Sequence, residues 1–323
     1  MTKPTILVVH PLFPDVLERL AQHFDVESNQ DNAAWSPAVL AQRLAGKQGA
    51  LTTGSDRIDA ALLAACPDLK ICANMAVGTN NFDLLAMHAA GVLATNTPDV
   101  LTETTADFGF ALMMATARRI TEAEAYLRAG QWTTWRYDLL AGSDIHGATL
   151  GILGMGRIGQ GIARRGALGF GMNVVYHNRS RLSAALEADC QARYVSKNEL
   201  LQSADHLVLV LPYSPASHHA IGAAELALMK PTATLVNIAR GGIVDDAALA
   251  AALKAGRIAA AGLDVFEGEP SVHPELLNLP NVVLTPHIAS ASLATRRAMA
   301  DLAADNLIAF FNGQPVLTPV SVS

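Results

Sequence analysis

Three short segments in the second half of the sequence each close an apolar, strand-like run on a side chain that can do chemistry. They are "VNIARGG" with Arg240, "LDVFEGEP" with Glu269 and "VVLTPHIAS" with His287. An arginine offers a planar fork of donors that grips a carboxylate bidentately and polarises an adjacent carbonyl oxygen. A histidine near neutrality supplies a proton where negative charge develops. A carboxylate beside the histidine favours its charged form and fixes its orientation. Taken singly, each residue has a plain structural reading: a surface ion pair, a solvated loop acid, a satisfied histidine. Three together at strand ends form a proton-delivering, carboxylate-gripping set.

Such a set is useful for reduction only beside a hydride donor, and an earlier segment supplies the seat for one. In "TLGILGMGRIGQGIARR", Gly154, Gly156 and Gly159 form a GxGxxG pattern between a strand-like and a helix-like run. The first glycine permits the tight turn, the second lets backbone approach a pyrophosphate, and the third allows close helix-to-strand packing. The helix N-terminus then presents unpaired amides to the phosphates. Arg157, inside the loop, is placed to pair with the pyrophosphate or to sit solvated at the helix start. About twenty residues on, where an acid would hold an adenosine 2′-hydroxyl, "VVYHNRSR" offers Asn178, Arg179, Ser180 and Arg181 instead. Arginine attracts a 2′-phosphate, so the segment favours NADPH, with NAD as the alternative. Arg240, Glu269 and His287 then read as a reductase site for a 2-keto acid.

The elements that must position these residues alternate twice. In the first hundred residues "TILVV", "ALTT", "LKICANM" and "VLATN" read as strands, separated by helical patterns such as "PDVLERLAQHF" and "NFDLLAMHAAG". Alternation of this kind implies parallel strands joined by right-handed crossovers. The pattern from Leu101 to Gly130 predicts one long helix, which would join two domains. A second series follows the loop "QWTTWRYDLLAGSDIHGA": "TLGILGMG", "NVVYHN", "HLVLVLP", "TLVNIARGG", "IAAAGLDVF" and "NVVLTPH". Its short continuous apolar runs suit strands covered on both faces. The last helical pattern, "LATRRAMADLAADNLIAFFNG", is expected to pack back on the first domain. The predicted fold is α/β with two doubly wound parallel-sheet domains, one formed by residues 1–100 plus 291–323 and the other by residues 101–290. The cleft between two such domains is the default ligand site.

At 323 residues the chain suits two domains, and 51% apolar against 16% charged residues argues for folding throughout. A net charge of −6 without long basic runs speaks against nucleic-acid and anionic-membrane surfaces. No signal-peptide pattern or membrane-spanning run is evident. Cys66, Cys72 and Cys190 fit neither a disulfide framework nor a zinc-ligand spacing, so buried thiols in a reducing cytoplasm and no metal are expected. Trp132 and Trp135 are read as packing residues.

On "MAVGTNNFDLLA", "NTPDVLTETTADF", "LGILGMGRIGQGIARR", "NIARGGIVDDAAL", "AAGLDVFEGEP" and "LTPHIASAS", the chain resembles the D-isomer-specific 2-hydroxyacid dehydrogenases. The likeness is strongest to their glyoxylate/hydroxypyruvate reductase branch, which includes 2-ketogluconate reductases. That resemblance implies a flavodoxin-like substrate domain and a Rossmann NAD(P)-binding domain. It also implies that Arg240 binds the substrate carboxylate and carbonyl, that Glu269 partners the histidine, and that His287 is the acid/base. By the same resemblance the backbone amides of Val77 and Gly78 receive the substrate carboxylate. Cofactor contacts map to Thr105, Arg157, Ile158, Arg179, Leu211, Pro212, Ile238, Ala239, Asp264 and Ser290, with Asp264 suited to orient the nicotinamide amide. Many relatives carry Asp where this chain has Asn80, so that residue receives no catalytic role. The expectations that follow are an NADPH-preferring reductase of glyoxylate or hydroxypyruvate, working as a homodimer. A sugar-acid reductase with a roomier pocket is the rival, and a non-catalytic nucleotide-sensing scaffold is the alternative from another class.

Overall fold

The computed structural model describes residues 2–321, and the chain separates into two compact units. One runs to Leu101 and resumes at Ala291; the other spans Thr102–Ser290.

The first unit contains β1 (Thr5–Val8), α1 (Pro14–His23), β2 (Asp25–Ser28), α2 (Pro37–Leu44), β3 (Gly49–Thr52), α3 (Ala60–Ala65), β4 (Ile71–Asn74), α4 (Leu84–Ala89), β5 (Leu93–Thr95) and, from the far end of the chain, α12 (Leu293–Phe311). Its strands are all parallel in the order β2-β1-β3-β4-β5, the flavodoxin-type order. One face packs Leu7, Leu44, Ile58, Leu63, Cys72 and Met87. The other packs Ile6, Val8, Leu20, Leu51 and Ile71 against Ala300, Ala303, Ala304 and Leu307 of α12. Small side chains on α12 let its backbone approach the sheet, so the C-terminal helix completes the N-terminal core. Elements β2 and α2 escape the sequence pattern: β2 is the four-residue edge strand "DVES", too polar and short to register.

The second unit contains α5 (Thr102–Ala117), α6 (Ile120–Arg128), β6 (Thr149–Leu153), α7 (Arg157–Arg164, continued by a π-helical turn to Gly169), β7 (Asn173–His177), α8 (Ala184–Asp189), β8 (Ala192–Tyr194), α9 (Lys197–Ser203), β9 (His206–Leu209), α10 (Ala223–Leu226), β10 (Thr234–Asn237), α11 (Asp246–Lys254), β11 (Ala260–Leu263) and β12 (Val282–Leu284). Seven parallel strands lie in the order β12-β11-β10-β9-β6-β7-β8. This is Rossmann winding, reversing between β6 and β9, and ligands of such sheets bind outside the carboxyl ends of the strands at that switch point. Ile152, Val208 and Val236 face a layer holding Phe110, Met113 and Ile162, while Leu207, Leu209 and Leu235 face one with Leu200, Leu249 and Leu253. Full burial of each such side chain contributes roughly 1.5–3 kcal/mol, which makes the sheet a stiff base for its loops.

Helix starts follow the sequence. The side chains of Ser36, Asp59, Asp83, Ser183, Ser196, Asp245 and Ser292 each accept a backbone N–H two residues into the helix that follows. The single helix expected over 101–130 is instead two: Arg119 takes a left-handed φ of 53° between α5 and α6. Neither Pro nor Gly marks the break. It is held from elsewhere in the chain, by Ser143 N–H on the Ala117 carbonyl (2.9 Å) and by Arg119 on the Ala141 carbonyl (3.3 Å). Trp132 and Trp135, expected to pack, stand 55% and 74% exposed in the single chain, on the loop after α6. Cys66, Cys72 and Cys190 are free and buried. Among the described residues no helix is long and apolar enough to cross a membrane.

Candidate active site

The glycine loop leaves β6 at the switch point. Gly154 has φ 103°, and a Cβ there would lie 2.6 Å from the Leu211 nitrogen, so glycine alone fits. A Cβ on Gly159 would meet the Gly154 carbonyl oxygen at 2.4 Å, which is how α7 starts tight against its strand. Gly156, at the N-cap of α7, has open space where its side chain would be. Arg157 and Ile158 open that helix. Amides at a helix start facing open space form a cradle for a pyrophosphate. Leu211 and Pro212 follow β9, the strand beside β6, and the buried Ile238 and Ala239 follow β10. Thr105, on α5, is buried with a hydroxyl that has no partner among the described residues. A buried polar atom left unmatched is costly, so this hydroxyl suits a ligand group. Cradle and unmatched hydroxyl both fit a nicotinamide dinucleotide.

The segment after β7 divides its labour. Asn178 Oδ1 accepts the Met155 N–H at 2.6 Å and so anchors the glycine loop. Arg179 and Ser180 are exposed. Arg181 points to Glu187 instead, with Nε and Nη2 at 2.9 and 2.8 Å from its two oxygens. Glu187 also accepts from the hydroxyl of the fully buried Tyr176 at 2.7 Å, and that hydroxyl accepts the Leu182 N–H at 2.8 Å. Sequence reading found no acid near this loop. Glu187 is one, but both its oxygens are engaged by Arg181 and Tyr176.

Arg240, Glu269 and His287 follow three neighbouring strands, β10, β11 and β12. His287 Nδ1 and Glu269 Oε2 are 2.7 Å apart, and Glu269 Oε1 accepts the Phe266 N–H at 2.9 Å. With Nδ1 committed, Nε2 is the ring nitrogen left to exchange a proton. Burial alone would raise the Glu269 carboxyl, but the hydrogen bond and charge of His287, then the Phe266 amide and Arg240, hold it below its ordinary value. It is therefore a carboxylate at neutral pH. Burial pushes the Arg240 guanidinium down, and the Glu269 charge partly offsets this. Arg240 Nη1 also donates to its neighbour Ala239's carbonyl at 2.7 Å.

Asp264, at the end of β11, is fully buried and holds the loop that carries His287. Its Oδ1 accepts from the Thr285 hydroxyl (2.7 Å) and the Ile288 N–H (2.8 Å), its Oδ2 from the Ala289 N–H (2.8 Å), and its carbonyl from the His287 N–H (2.9 Å). His287 sits at φ 53°, a left-handed conformation that costs a non-glycine residue roughly 1–2 kcal/mol. The clamp on either side holds it there. Burial raises the Asp264 carboxyl, only partly offset by these hydrogen bonds. The type of residue at a strand end was legible; the clamp was not, since its partners lie over twenty residues away. Ser290 ends the same loop. Val77 and Gly78 belong to the first unit, on the loop after β4.

His218, His219 and Glu267 each bring one ligand atom within 4.8 Å of the others. The two imidazoles are stacked with centroids 3.9 Å apart and planes 22° apart. Glu267 is hydrogen-bonded to His219 at 2.9 Å.

Residues 110–289 match the family described as D-isomer specific 2-hydroxyacid dehydrogenase, NAD binding domain. Two glyoxylate reductases are similar over nearly the whole chain. That of Thermococcus onnurineus is 47% identical over 316 residues, 97% of this chain and 94% of its own, and that of Thermococcus gammatolerans is 45% identical over the same shares. Among solved structures, the NADPH-dependent glyoxylate/hydroxypyruvate reductase of Sinorhizobium meliloti, in complex with NADP and malonate, superposes with a TM-score of 0.87 at 38% identity. That match covers 99% of this chain and 97% of the other.

Proposed function

The chain belongs to the D-isomer specific 2-hydroxyacid dehydrogenase family of oxidoreductases, and from that premise we propose that it reduces glyoxylate or hydroxypyruvate to the D-hydroxy acid with NADPH. The observation that carries the reading is the 2.7 Å Glu269–His287 pair at the carboxyl edge of a Rossmann-ordered sheet, one strand from Arg240. The Gly154–Gly159 cradle, with Thr105, Arg157, Ile158, Leu211, Pro212, Ile238, Ala239 and Ser290, would hold the dinucleotide, which would supply the hydride when bound. His287 Nε2 delivers a proton to the carbonyl oxygen as negative charge develops there. Arg240 grips the carboxylate and steadies the same oxygen. Glu269 holds the ring in orientation through its hydrogen bond with Nδ1. The amides of Val77 and Gly78 hold the substrate's carboxylate.

NADPH is favoured because Arg179 and Ser180 are exposed beyond β7 and the nearby acid, Glu187, is consumed by Arg181 and Tyr176. The Sinorhizobium relative, described as NADPH-dependent, points the same way. We assign the second unit as the cofactor domain and the first as the substrate domain. A homodimer through the cofactor domain, reached by the loop of Trp132, Trp135 and Tyr137, suits their exposure of 55%, 74% and 88%. Buried free thiols suit the cytoplasm.

A steady-state matrix of NADPH and NADH against glyoxylate, hydroxypyruvate and 2-ketogluconate tests this reading. The expected result is the highest kcat/KM with NADPH and one of the two small acids. His287→Asn should then lower kcat by roughly 10²–10⁴ while NADPH still binds. Preference for 2-ketogluconate with negligible hydroxypyruvate turnover would move the assignment to sugar acids, and no turnover with any keto acid despite NADPH binding would move it to a sensor.

A further inference from the structure

Three loops at the carboxyl edge of the seven-stranded sheet meet at one peptide group, that between Phe266 and Glu267. The loop after β10 bears on its oxygen: a Cβ on Gly241 would come within 1.7 Å of the Phe266 carbonyl oxygen, so the backbone beside Arg240 rests directly on this peptide. That backbone is itself fixed by the buried Asn237, whose Oδ1 accepts the Ala239 N–H at 3.0 Å and whose Nδ2 donates to the Arg240 carbonyl at 3.2 Å. Asp246 holds the nitrogen of the same peptide, its Oδ2 accepting the Glu267 N–H at 3.1 Å. The loop after β9 ties the other two, because His219 N–H donates to the Gly242 carbonyl at 2.7 Å and its ring Nε2 lies 2.9 Å from Glu267 Oε2. Phe266 N–H, on the other flank of the same residue, is the donor that Glu269 Oε1 accepts.

Asp246 opens α11 but does not cap it. The cap is Asp245, whose Oδ1 accepts the Ala248 N–H at 2.9 Å. Asp246 is buried, and burial pushes its carboxyl up, with the Glu267 amide only partly offsetting this. Among the charges that face it, Glu267 and Asp245 raise it further and His273 lowers it. Burying an acid is costly unless its bonds repay it. With the helix already capped, the bond to set against that cost is the one to the loop of Glu269.

We infer that Asp246 is a positioning residue for the Glu269–His287 pair: it holds the Phe266–Glu267 peptide so that Phe266 N–H meets Glu269 while the loop of Arg240 seats against the same peptide. This rests on the proposed reading for the roles of Glu269, His287 and Arg240 in keto-acid reduction. Asp246 acts through the peptide and not on the reacting atoms. Without its acceptor the Glu267 N–H is left unmatched and the peptide is free to turn, which displaces Glu269 relative to His287 and Arg240. Geometry of that kind is felt in the transition state, so kcat responds more than cofactor binding.

Asp246→Ala removes the acceptor. Its kcat for the keto acid should fall about tenfold to a hundredfold, since misplacement by about 1 Å costs on the order of 10² in rate, with the Kd of NADPH within about twofold. The Phe266 amide is one of the groups that hold the Glu269 carboxyl below its ordinary value. Its titration, followed by the ¹³C shift of the carboxyl, should therefore move up in Asp246→Ala, and the acid limb of the kcat profile with it. Asp246→Asn can turn its one oxygen to the Glu267 N–H, so it should bring kcat to within about threefold of wild type and return the Glu269 titration to its place. Asp246→Ser, tolerated at a helix start but too short to reach the amide, carries the alanine prediction should that variant not fold. Lowered stability with kcat and the Glu269 titration unmoved, or an asparagine variant as impaired as the alanine one, would overturn the inference. A moved Glu269 titration in a protein that reduces no keto acid would keep the positioning role and remove only the catalytic reading.

Discussion

Two loops leave the carboxyl edge of the seven-stranded sheet and are built on opposite plans. The loop after β12 is tied to a buried acid: Asp264 holds Thr285, Ile288 and Ala289 and so fixes His287 in a left-handed conformation. The loop after β7 leaves Arg179 and Ser180 exposed, while Arg181 is tied outside the core to Glu187. Proton transfer demands a donor placed within hydrogen-bond reach, and such placement needs a buried, fully partnered support. Recognising a phosphate demands mainly positive charge and donors, which an exposed arginine brings by itself. On the proposed reading, rigidity is concentrated where distance decides the rate, and charge where sign decides the choice of cofactor.

The largest effect is expected from breaking the clamp. Asp264→Asn replaces one acceptor oxygen with a donor facing backbone N–H groups, leaving a buried amide unmatched at a cost of about 1–3 kcal/mol. Freed from its conformation, His287 should shift, and misplacement by about 1 Å costs on the order of 10² in rate. Urea unfolding and kcat should therefore fall together. A variant with wild-type kcat and lowered stability would show that the clamp serves the fold and not the histidine.

The cofactor loop should respond differently. On the proposed reading, Arg179→Asp removes a charged hydrogen bond to the 2′-phosphate worth roughly 1.5–3 kcal/mol, so kcat/KM with NADPH should fall about tenfold or more while NADH is spared or improved and the urea midpoint stays put. Equal losses with both cofactors would make this loop structural too and erase the contrast between the two.

How much of this contrast could be read from the sequence differs between the loops. Arg240, Glu269 and His287 were visible because each stands at the end of an apolar run, and the glycine spacing carries its own geometric reason. The Asp264 clamp, the Glu187 anchor and the Asp246–Glu267 bond were hidden. Each joins residues separated by a turn or a strand crossing, and single side-chain types at irregular spacing leave no period to detect. The same holds for the break at Arg119, fixed by Ala141 and Ser143 and not by a helix-breaking residue. Strand β2 was missed for the converse reason: an edge strand with exposed or half-buried side chains lacks the apolar run that marked the others.

The smallest effect concerns what holds the exposed loop in place. The hydrogen bonds of Arg181, then that of Tyr176, hold Glu187 down to about 2, while burial, then Glu187, pushes Tyr176 up to about 12. An unfolded glutamate titrates near roughly 4.3, so on the acid side the folded chain binds fewer protons than the unfolded one. The stabilisation from Glu187 is therefore full above that value and is lost as pH falls toward about 2. Tyr176 has the opposite sign: its contribution is full below roughly 10 and is lost as pH rises through about 12. Glu187→Gln keeps an acceptor for the tyrosine but gives up the charge. The gap in urea midpoint between wild type and variant should be widest near neutrality and close progressively as pH falls below roughly 4.3 toward about 2, with the NADPH-to-NADH ratio moved less than about threefold. A gap that ignores pH would mean the Arg181–Glu187 pair does not anchor the loop by charge. A tenfold change in the cofactor ratio would mean that releasing Arg181 recruits it to the phosphate, and the loop's specificity would then depend on how it is held as well as on Arg179.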